Sequence, residues 1–319
     1  MKNNIAESDF LNLIQNEVNE SAAVTQEIIL PNNTNGVKVF LKREDLLHET
    51  ISGNKWRKLK YNLIEANRLG VKTLLTFGGA FSNHIHATAS AGKIFGFNTI
   101  GIIRGEEHFP LNPTLDFAKN CGMIVHYMDR KTYRKKNEIN VIDLLKHKYG
   151  NFYLVPEGGT NNLAVKGCTE IIDDINIDFD IILTACGTGG TISGLICGLS
   201  GEKKVVGIPV LKGAEFLIND TKSLVKDYSN QKFNNWELNL NFHFGGYAKI
   251  NKELIEFILE FEKLNNIKLD PIYTGKLLFA INKMVGNKNF ESGKKLLALH
   301  TGGLQGIAGM KNKIKKLLS

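Results

Sequence analysis

The chain has 319 residues, of which 43% are hydrophobic and 23% charged, a balance typical of a globular protein large enough for two domains. The 40 lysines and arginines outnumber the 32 acidic residues, but only residues 311–316 are densely basic, which favours a solvated helix face over nucleic-acid binding. No apolar stretch is long enough to span a membrane and the first residues lack an apolar signal core, so we expect a cytoplasmic protein without a membrane partner.

Short apolar runs typical of buried strands alternate with segments of helical periodicity along almost the whole chain. Strands are predicted at residues 37–41, 73–77, 99–103, 123–127, 152–155, 180–185, 205–210, 238–242 and 296–300. Helices are predicted at residues 55–68, 84–95, 113–120, 141–147, 163–175, 192–199, 215–228, 251–264, 276–284 and 306–318. This alternation favours an α/β architecture in which helices cover mostly parallel sheets, and ligands of such folds bind at the carboxyl ends of the strands.

The chain passes from a predicted strand to the next helix through a glycine-rich loop, which consists of Gly187, Thr188, Gly189, Gly190 and Thr191. In such a turn backbone N–H groups converge at the positive end of a helix dipole, which suits a phosphate. The loop matches neither common nucleotide-binding pattern, so the phosphate would belong to a small cofactor or substrate. The alternative is an ordinary helix start, in which Thr191 caps the helix and the glycines supply positive φ.

Lys55 lies at the start of a predicted helix, in a cluster of cations that continues to Lys58. Positive charge at that end of a helix opposes the dipole and costs stability, which indicates an anionic ligand or a chemical role. A lysine of lowered pKa can form a Schiff base. The alternative is a solvated basic helix start.

Ser82, Asn83 and His84 follow a predicted strand and a Gly-Gly turn. A hydroxyl, an amide and the N–H groups of a helix N-terminus together suit a carboxylate or phenolate oxygen. The alternative is simple helix capping by Ser82 or Asn83. Neither the histidines nor the four cysteines have metal-binding spacing, so we expect no metal and reduced, buried thiols.

Two tyrosines, Tyr247 and Tyr273, lie among loop-forming residues, and a third glycine turn occupies residues 300–303. Each tyrosine alone could be a packing residue. Three glycine-rich turns that follow strands indicate instead that several loops converge on one site.

Together these segments resemble the pyridoxal-phosphate enzymes of fold type II, and within them the aminocyclopropane-carboxylate deaminase and D-cysteine desulfhydrase family. The motifs that carry the resemblance are Lys42-Arg43-Glu44-Asp45, Gly53-Asn54-Lys55 with Arg57-Lys58-Leu59, Ser82-Asn83-His84, Gly158-Gly159-Thr160-Asn161, the glycine-rich loop, Tyr273-Thr274-Gly275-Lys276 and His300-Thr301-Gly302-Gly303. The resemblance implies pyridoxal 5'-phosphate as cofactor, a homodimer and two lobes. Residues 1–60 and 165–319 would form the larger, cofactor-binding domain, and residues 61–164 a smaller inserted α/β domain.

Position by position, the resemblance makes Lys55 the lysine that bonds to the cofactor and moves the substrate's α-proton, with Ser82 and Tyr273 as further catalytic residues. It makes the glycine-rich loop the phosphate seat, which favours that interpretation over the helix cap. The other cofactor contacts that it implies are Asn83, Thr274 and Thr301. The implied substrate contacts are Ser82, Asn83, His84, Tyr247 and Tyr273.

Two positions distinguish the branches of the family. The deaminases resemble a Tyr-Glu-Gly-Lys pattern whose glutamate faces the pyridine nitrogen, with a leucine before the late Gly-Gly, whereas this chain has Thr274 and Thr301. Both threonines are similar to the D-cysteine desulfhydrase branch. A hydroxyl leaves the ring nitrogen essentially neutral, which suits the departure of a good leaving group such as thiolate. Phe81 and His86 depart from the glutamine and arginine of that branch, and the departure bears on the substrate.

The sequence therefore predicts a pyridoxal-phosphate-dependent lyase that carries out α,β-elimination on a small amino acid, with D-cysteine as the first candidate and pyruvate, sulfide and ammonia as products. The alternative is a deaminase acting on aminocyclopropane-carboxylate or another small D-amino acid. An alternative of another class is a non-catalytic protein that binds a phosphorylated ligand. Lys55 counts against it, because simple binding needs no buried reactive amine.

Overall fold

The computed structural model describes residues 6–33 and 35–319, which contain 10 strands and 12 α-helices. The strands are β1 (Thr25–Glu27), β2 (Lys38–Lys42), β3 (Thr73–Gly78), β4 (Asn98–Arg104), β5 (Ile124–Met128), β6 (Tyr153–Val155), β7 (Ile181–Cys186), β8 (Lys204–Pro209), β9 (Trp236–Leu238) and β10 (Lys295–Leu299). The helices are α1 (Glu7–Glu17), α2 (Asn54–Arg68), α3 (Asn83–Phe95), α4 (Pro113–Asn120), α5 (Arg130–Arg134), α6 (Ile139–Tyr149), α7 (Asn162–Asp173), α8 (Gly190–Leu199), α9 (Phe216–Ser229), α10 (Lys252–Asn265), α11 (Thr274–Gly286) and α12 (Gly306–Leu318).

The strands form two sheets. A six-stranded sheet has the order β1-β2-β10-β7-β8-β9, and a four-stranded sheet has the order β5-β4-β3-β6. Every neighbouring pair is parallel except β1 and β2, which pair antiparallel through Gln26 and Leu41. The predicted architecture of mostly parallel sheets is thus confirmed.

Both faces of each sheet are covered by helices, which explains why the strands are apolar throughout rather than alternating. In the large sheet Leu183 packs into a core with α10 and α11, while its neighbour Ile182 packs into another with α7, α8 and α9. In the small sheet Leu74 faces α1 and α2, and Leu75 faces α6.

Most of the predicted elements are present within a residue or two of their expected bounds. The elements not predicted are short or narrow in their apolar face: α1, β1 and α5. The strand predicted at 238–242 is displaced, because β9 ends at Leu238 and residues 240–242 form a 3₁₀ turn. The small sheet is built entirely from residues between Thr73 and Val155. The domain boundaries at residues 60 and 164 stay a prediction.

None of the helices in the described part of the chain combines the length and the apolar character needed to cross a membrane. The four cysteines are unpaired, as expected; Cys168, Cys186 and Cys197 are buried, whereas Cys121 is half-buried.

Candidate active site

A cavity of about 540 Å³ lies where the carboxyl ends of strands from both sheets meet. Its wall includes Arg104 at the end of β4, Pro156 after β6, Gly187 after β7 and Thr301 after β10. This is where open parallel sheets bind ligands, because the loops that leave the strands converge there.

Most of the predicted site residues line this one cavity. They are Lys55, Ser82, Asn83, His84, Gly187, Thr188, Gly189, Thr191, Tyr247, Tyr273 and Thr301. Two predicted cofactor contacts do not line it. Gly190 lies behind the loop, where a Cβ would stand 3.1 Å from the Nζ atom of Lys58. Thr274 is buried in the first turn of α11.

Lys55 extends from the first turn of α2 into the cavity. Its Nζ atom donates to the Asn54 Oδ1 atom at 2.8 Å and lies 6.0 Å from the centre of the Tyr273 ring. Burial, and secondarily the charge of Lys58, lowers the pKa of the Lys55 amine to about 7. At neutral pH a substantial fraction of this amine is therefore uncharged and able to act as a nucleophile or base.

The glycine-rich loop forms an uncapped helix start. The N-cap residue of α8 is Gly189, with φ of 80°, and no side chain caps its N–H groups. The hydroxyl of Thr191 does not cap the helix but accepts a hydrogen bond from Asn54 Nδ2 at 2.7 Å. The helix-cap alternative therefore does not describe this loop, whose N–H groups remain available to an anion.

Lys58, one turn after Lys55, points at the same loop. Its Nζ atom lies 3.3 Å from the Gly158 carbonyl, 3.3 Å from Thr160 Oγ1 and 3.4 Å from Thr188 Oγ1. The side chain is 3% exposed and, among the described residues, makes no ion pair. Burial lowers the pKa of the Lys58 amine, and a bound anion would stabilise its charged form, so this end of the cavity is suited to an anion. The sequence motif contained Lys58, but no role was predicted for it.

Tyr273 lies against the glycine-rich loop. A Cβ at Gly187 would stand 3.3 Å from Tyr273 Cε1, and the ring of Tyr247 crosses that of Tyr273 at 71° with centres 6.1 Å apart. Burial, with the neighbouring Tyr247 and Asp270, raises the pKa of the Tyr273 phenol well above its ordinary value. Tyr273 is therefore a proton donor, not a base, at neutral pH.

The buried carboxylate of Asp270 holds the backbone that carries Tyr273. It accepts the N–H groups of Ile272, Tyr273 and Thr274 at 2.8–2.9 Å, and the Thr274 hydroxyl donates to it at 2.7 Å. The hydroxyl of Thr274 is thus engaged by Asp270 and turned away from the cavity. Thr274 fixes the start of α11 rather than facing a ligand.

Ser82 and His84 share the wall but differ in what they can offer. Ser82 Oγ accepts the N–H groups of His84 and Ile85 as the N-cap of α3, so its own hydrogen is free to donate.

The tautomer of His84 follows from its contact with Thr76. Thr76 donates its hydroxyl hydrogen to the Val155 carbonyl, so at 2.8 Å it accepts a hydrogen bond from His84 Nε2. His84 Nδ1 is then an acceptor, and it is buried without a partner. Burial also lowers the pKa of His84 well below its ordinary value. A neutral ring with no spare N–H cannot donate to a carboxylate; the predicted contact of His84 with the substrate stays a prediction.

The glycine turn at residues 300–303 contacts both Asn83 and Gly53, the residue that precedes α2. A Cβ at Gly303 would lie 2.6 Å from Asn83 Nδ2, and a Cβ at Gly53 would lie 2.0 Å from the Thr301 carbonyl oxygen. Gly53 has a φ of 69°, a conformation that favours glycine, and it begins the helix that carries Lys55. The late glycine turn and the lysine helix are therefore in direct contact.

The two departures from the family pattern, Phe81 and His86, do not line the cavity. Phe81 is 41% exposed and packs against the Cα atom of Gly309, where a Cβ would stand 2.7 Å from its ring. His86 stacks on Phe117 with centres 3.8 Å apart, and burial lowers its pKa to about 4. Neither substitution touches a ligand in the cavity directly.

Several further cavity residues were not predicted from the sequence, and three charged residues are among them. Arg104, Lys136 and Glu157 form the wall on the side of the small sheet. Glu157 accepts from Lys136 at 3.0 Å and from the Tyr133 hydroxyl at 2.9 Å. The signal for Arg104 was present, because a cation directly follows the apolar residues of a predicted strand.

The motif residue Glu44 acts at a distance from the cavity. Its fully buried carboxylate pairs with Arg57 of α2 at 2.9 and 3.2 Å, and Arg57 also reaches Asp174 at 2.5 Å. Because a broken buried pair leaves an uncompensated charge, this pairing fixes α2 and hence the direction of Lys55. No group of three or more His, Cys, Asp or Glu side chains suited to a metal occurs within the described ranges.

The donor set fits a small phosphorylated aldehyde. Lys58 and the uncapped N-terminus of α8 would hold the phosphate, and the amine of Lys55 would bond to the carbonyl carbon.

The sequence is similar to known proteins over most of its length. The family of pyridoxal-phosphate dependent enzymes matches residues 22–302. A protein of Pyrococcus horikoshii, provisionally named 1-aminocyclopropane-1-carboxylate deaminase, is 32% identical over 295 residues, which cover 89% of this chain and 90% of that protein. The mitochondrial bifunctional D-cysteine desulfhydrase/1-aminocyclopropane-1-carboxylate deaminase of Arabidopsis thaliana is 31% identical over 303 residues, 87% of this chain and 75% of that protein.

The fold is similar to that of solved structures as well. The crystal structure of an ACC deaminase homologue has a TM-score of 0.80 and 28% identity, and the match covers 97% of this chain and 98% of that chain.

Proposed function

Because the chain belongs to the family of pyridoxal-phosphate-dependent enzymes, we propose that it is a lyase that eliminates the β-substituent of a small amino acid, with D-cysteine as the first candidate substrate. The resemblance predicted from the sequence is confirmed, and pyridoxal phosphate is the cofactor of the family. The alternative of a non-catalytic binding protein is not retained, since this is a family of enzymes.

One observation carries the proposal: the cavity holds two lysines one helical turn apart with different surroundings. The amine of Lys55, whose pKa is lowered to about 7, faces Tyr273. Lys58 faces the glycine-rich loop and has no carboxylate partner among the described residues. A reactive amine beside an anion seat is the arrangement that a phosphorylated aldehyde requires.

When bound, pyridoxal phosphate supplies the electron sink that stabilises negative charge on the α-carbon of the substrate. The uncharged amine of Lys55 takes the α-proton. The phenol of Tyr273 keeps its proton at neutral pH and can donate it to a departing thiolate. The free hydroxyl hydrogen of Ser82, together with the Asn83 amide, would hold the substrate carboxylate, while His84 would accept a hydrogen bond rather than donate one.

Deamination of 1-aminocyclopropane-1-carboxylate is the second candidate, favoured by the names of the relatives. The argument from Thr274 is weaker than the sequence suggested, since its hydroxyl is bound to Asp270. Elimination remains preferred because position 274 holds a threonine where the deaminase pattern has a glutamate. The carboxylates that line the cavity in the described chain, Glu157 and Asp220, come from other segments.

The test is borohydride reduction of the purified holoenzyme followed by peptide mass spectrometry. We expect a cofactor adduct on Lys55 that is absent from Lys55→Ala. The matched control is Lys60→Ala, on the same helix, where Lys60 pairs with Glu20 and Glu170 outside the cavity. An adduct on another lysine would contradict the assignment of Lys55.

The substrate is decided separately. Sulfide and pyruvate released from D-cysteine would support elimination, and 2-oxobutyrate released from 1-aminocyclopropane-1-carboxylate would support the deaminase. Turnover of neither compound by a correctly loaded enzyme would reject both substrates. The homodimer and the cytoplasmic location stay predictions, which sedimentation and cell fractionation would test.

A further inference from the structure

We propose that Arg104 selects small amino acids whose β-substituent carries a negative charge, such as a phosphate ester. The inference rests on the proposed elimination chemistry and extends it from the thiol of cysteine, which becomes anionic only as it leaves, to substituents that are charged from the start.

The position of Arg104 is fixed by the sheet. It is the last residue of β4 and lies beside Ile103, whose partner on β3 is Gly78, the residue that begins the turn to Ser82 and Asn83. The segment that would hold the substrate carboxylate and the arginine thus leave adjacent strands at the same edge. Both line the cavity.

The wall around Arg104 offers donors and no free acceptor carboxylate. Lys136 and Asn137 line the same cavity, and Glu157 is already engaged by Lys136 and by the Tyr133 hydroxyl. The remaining carboxylate of the cavity, Asp220, lies on α9, which packs against the helix of the glycine-rich loop. An anion entering from the small-sheet side meets two cations, Arg104 and Lys136, and one carboxylate, Glu157, whose charge is offset by Lys136.

Arg104 itself has no carboxylate partner. Within residues 6–33 and 35–319 its guanidinium makes no ion pair within 4.0 Å, whereas Arg43 and Arg57 are both paired. Arg104 is exposed to solvent as well as lining the cavity, and a guanidinium there without a carboxylate partner is suited to bidentate binding of a carboxylate or phosphate.

Arg104 and the reactive amine of Lys55 line the same cavity. Lys55 Nζ lies 6.0 Å from the Tyr273 ring, which lies 6.1 Å from the Tyr247 ring. Burial raises the pKa of Tyr247, and the charge of Arg104 opposes that rise, so the guanidinium acts on this tyrosine. Because Arg104 and Tyr247 line the same cavity, a small amino acid held between Lys55 and Tyr247 would have this guanidinium within the same enclosure.

For O-phosphoserine the step balances without another reactant except water. The Cα–H bond breaks with its proton passing to Lys55, and the Cβ–O bond breaks with its electron pair leaving on phosphate. Hydrolysis of the released aminoacrylate gives pyruvate and ammonium.

The first test measures binding, which needs no turnover. α-Methylaspartate and α-methylserine lack the α-proton, so neither compound can undergo elimination. Calorimetry on the holoenzyme then compares the binding of a charged side chain with that of a neutral one. We expect tighter binding of α-methylaspartate, weakened about tenfold by Arg104→Gln, with α-methylserine unchanged. The matched control, Arg130→Gln, removes a nearby arginine that is 65% exposed and does not line the cavity. Equal affinities in the wild type, or equal weakening of both compounds, would overturn the inference.

The second test separates this inference from the proposed function. Phosphate release from O-phosphoserine, lost in Arg104→Gln while chloride release from β-chloroalanine persists, supports both. An enzyme that eliminates chloride but never phosphate keeps the proposed function and overturns the role of Arg104. An enzyme that eliminates neither contradicts the proposed function, and the binding comparison then decides the inference alone.

Discussion

Lys276 connects the two segments that carry the cavity tyrosines. It is fully buried in α11, just after Tyr273, and its Nζ atom donates to the carbonyls of His243 at 2.9 Å and Gly246 at 2.8 Å. These carbonyls belong to the loop that leads to Tyr247, in which Phe244 and Ala248 both have positive φ. Replacing Lys276 by methionine keeps the apolar stem but removes one of the two hydrogen bonds that each carbonyl accepts, leaving only those from the N–H groups of Gly246 and Lys249.

The pKa of the Lys276 amine determines the size and the sign of this residue's contribution to the pH dependence of the free energy of unfolding. Burial lowers the pKa of Lys276 from 10.5 to about 8, with Lys313 lowering it further and Asp270 opposing the change. Between these pH values the unfolded chain binds more protons than the folded one, so folding stability rises with pH. For this shift the rise between pH 7 and pH 10 is about 2.5 kcal/mol. The Lys276→Met variant lacks this rise in stability, because methionine has no group that titrates at this position.

We therefore expect the destabilisation by Lys276→Met to be about 2.5 kcal/mol larger at pH 10 than at pH 7. Urea unfolding of the holoenzyme at several pH values, followed by the fluorescence of Trp56 and Trp236, measures it. The control is Lys283→Met on the same helix, where the side chain is 39% exposed and pairs with Glu253.

A destabilisation by Lys276→Met that does not change with pH would refute the reasoning, since the buried amine would then titrate normally. A pH dependence of the same size in Lys283→Met would refute it as well, because a surface amine is screened by water.

Three further predictions concern one residue that lines the cavity and two that lie outside its lining. Gly187→Ala should raise the dissociation constant of pyridoxal phosphate about tenfold, since the new methyl group crowds Tyr273; equilibrium dialysis measures it. Asp270→Asn should lower the free energy of unfolding by about 1–3 kcal/mol and reduce kcat, because an amide cannot accept every N–H that the carboxylate accepts; unchanged unfolding and kinetics would count against this role. His86→Phe should keep the stack on Phe117 and leave kcat/KM for D-cysteine within about twofold, whereas a larger change would place residue 86 in the site.

The sequence predicted the long elements well where their apolar periodicity extends over several turns or a whole strand, and it missed α1, which buries only Phe10 and Ile14. It missed α5 and β1, which have 5 and 3 residues, too few to show a period. The strand predicted at 238–242 failed for a local reason: the side chain of Asn239 accepts the N–H of Asn241 and begins a turn. The hydrogen bond from the backbone to this side chain stabilises a turn in a segment whose apolar pattern is typical of a strand.

The candidate site was predicted where glycines and chemistry-bearing residues are close together in sequence. What could not be read was the direction of each side chain. The Thr274 hydroxyl donates to Asp270, and the one N–H of the His84 ring donates to Thr76. These hydrogen bonds depend on how the side chains pack in the folded protein. Lys58 depends on Thr160 and Thr188, more than 100 positions away in the chain. Only the folded arrangement joins them.

The contact between Gly53 and Thr301 also sets an order of events during biosynthesis. Strand β2, which precedes the lysine helix, lies between β1 and β10, and β10 is made long after it. The small sheet can assemble on the growing chain from contiguous residues, but the wall behind Lys55 is absent until β10 has left the ribosome. Loading of the cofactor is therefore a late step, and a nascent chain that carries Lys55 holds no competent pocket.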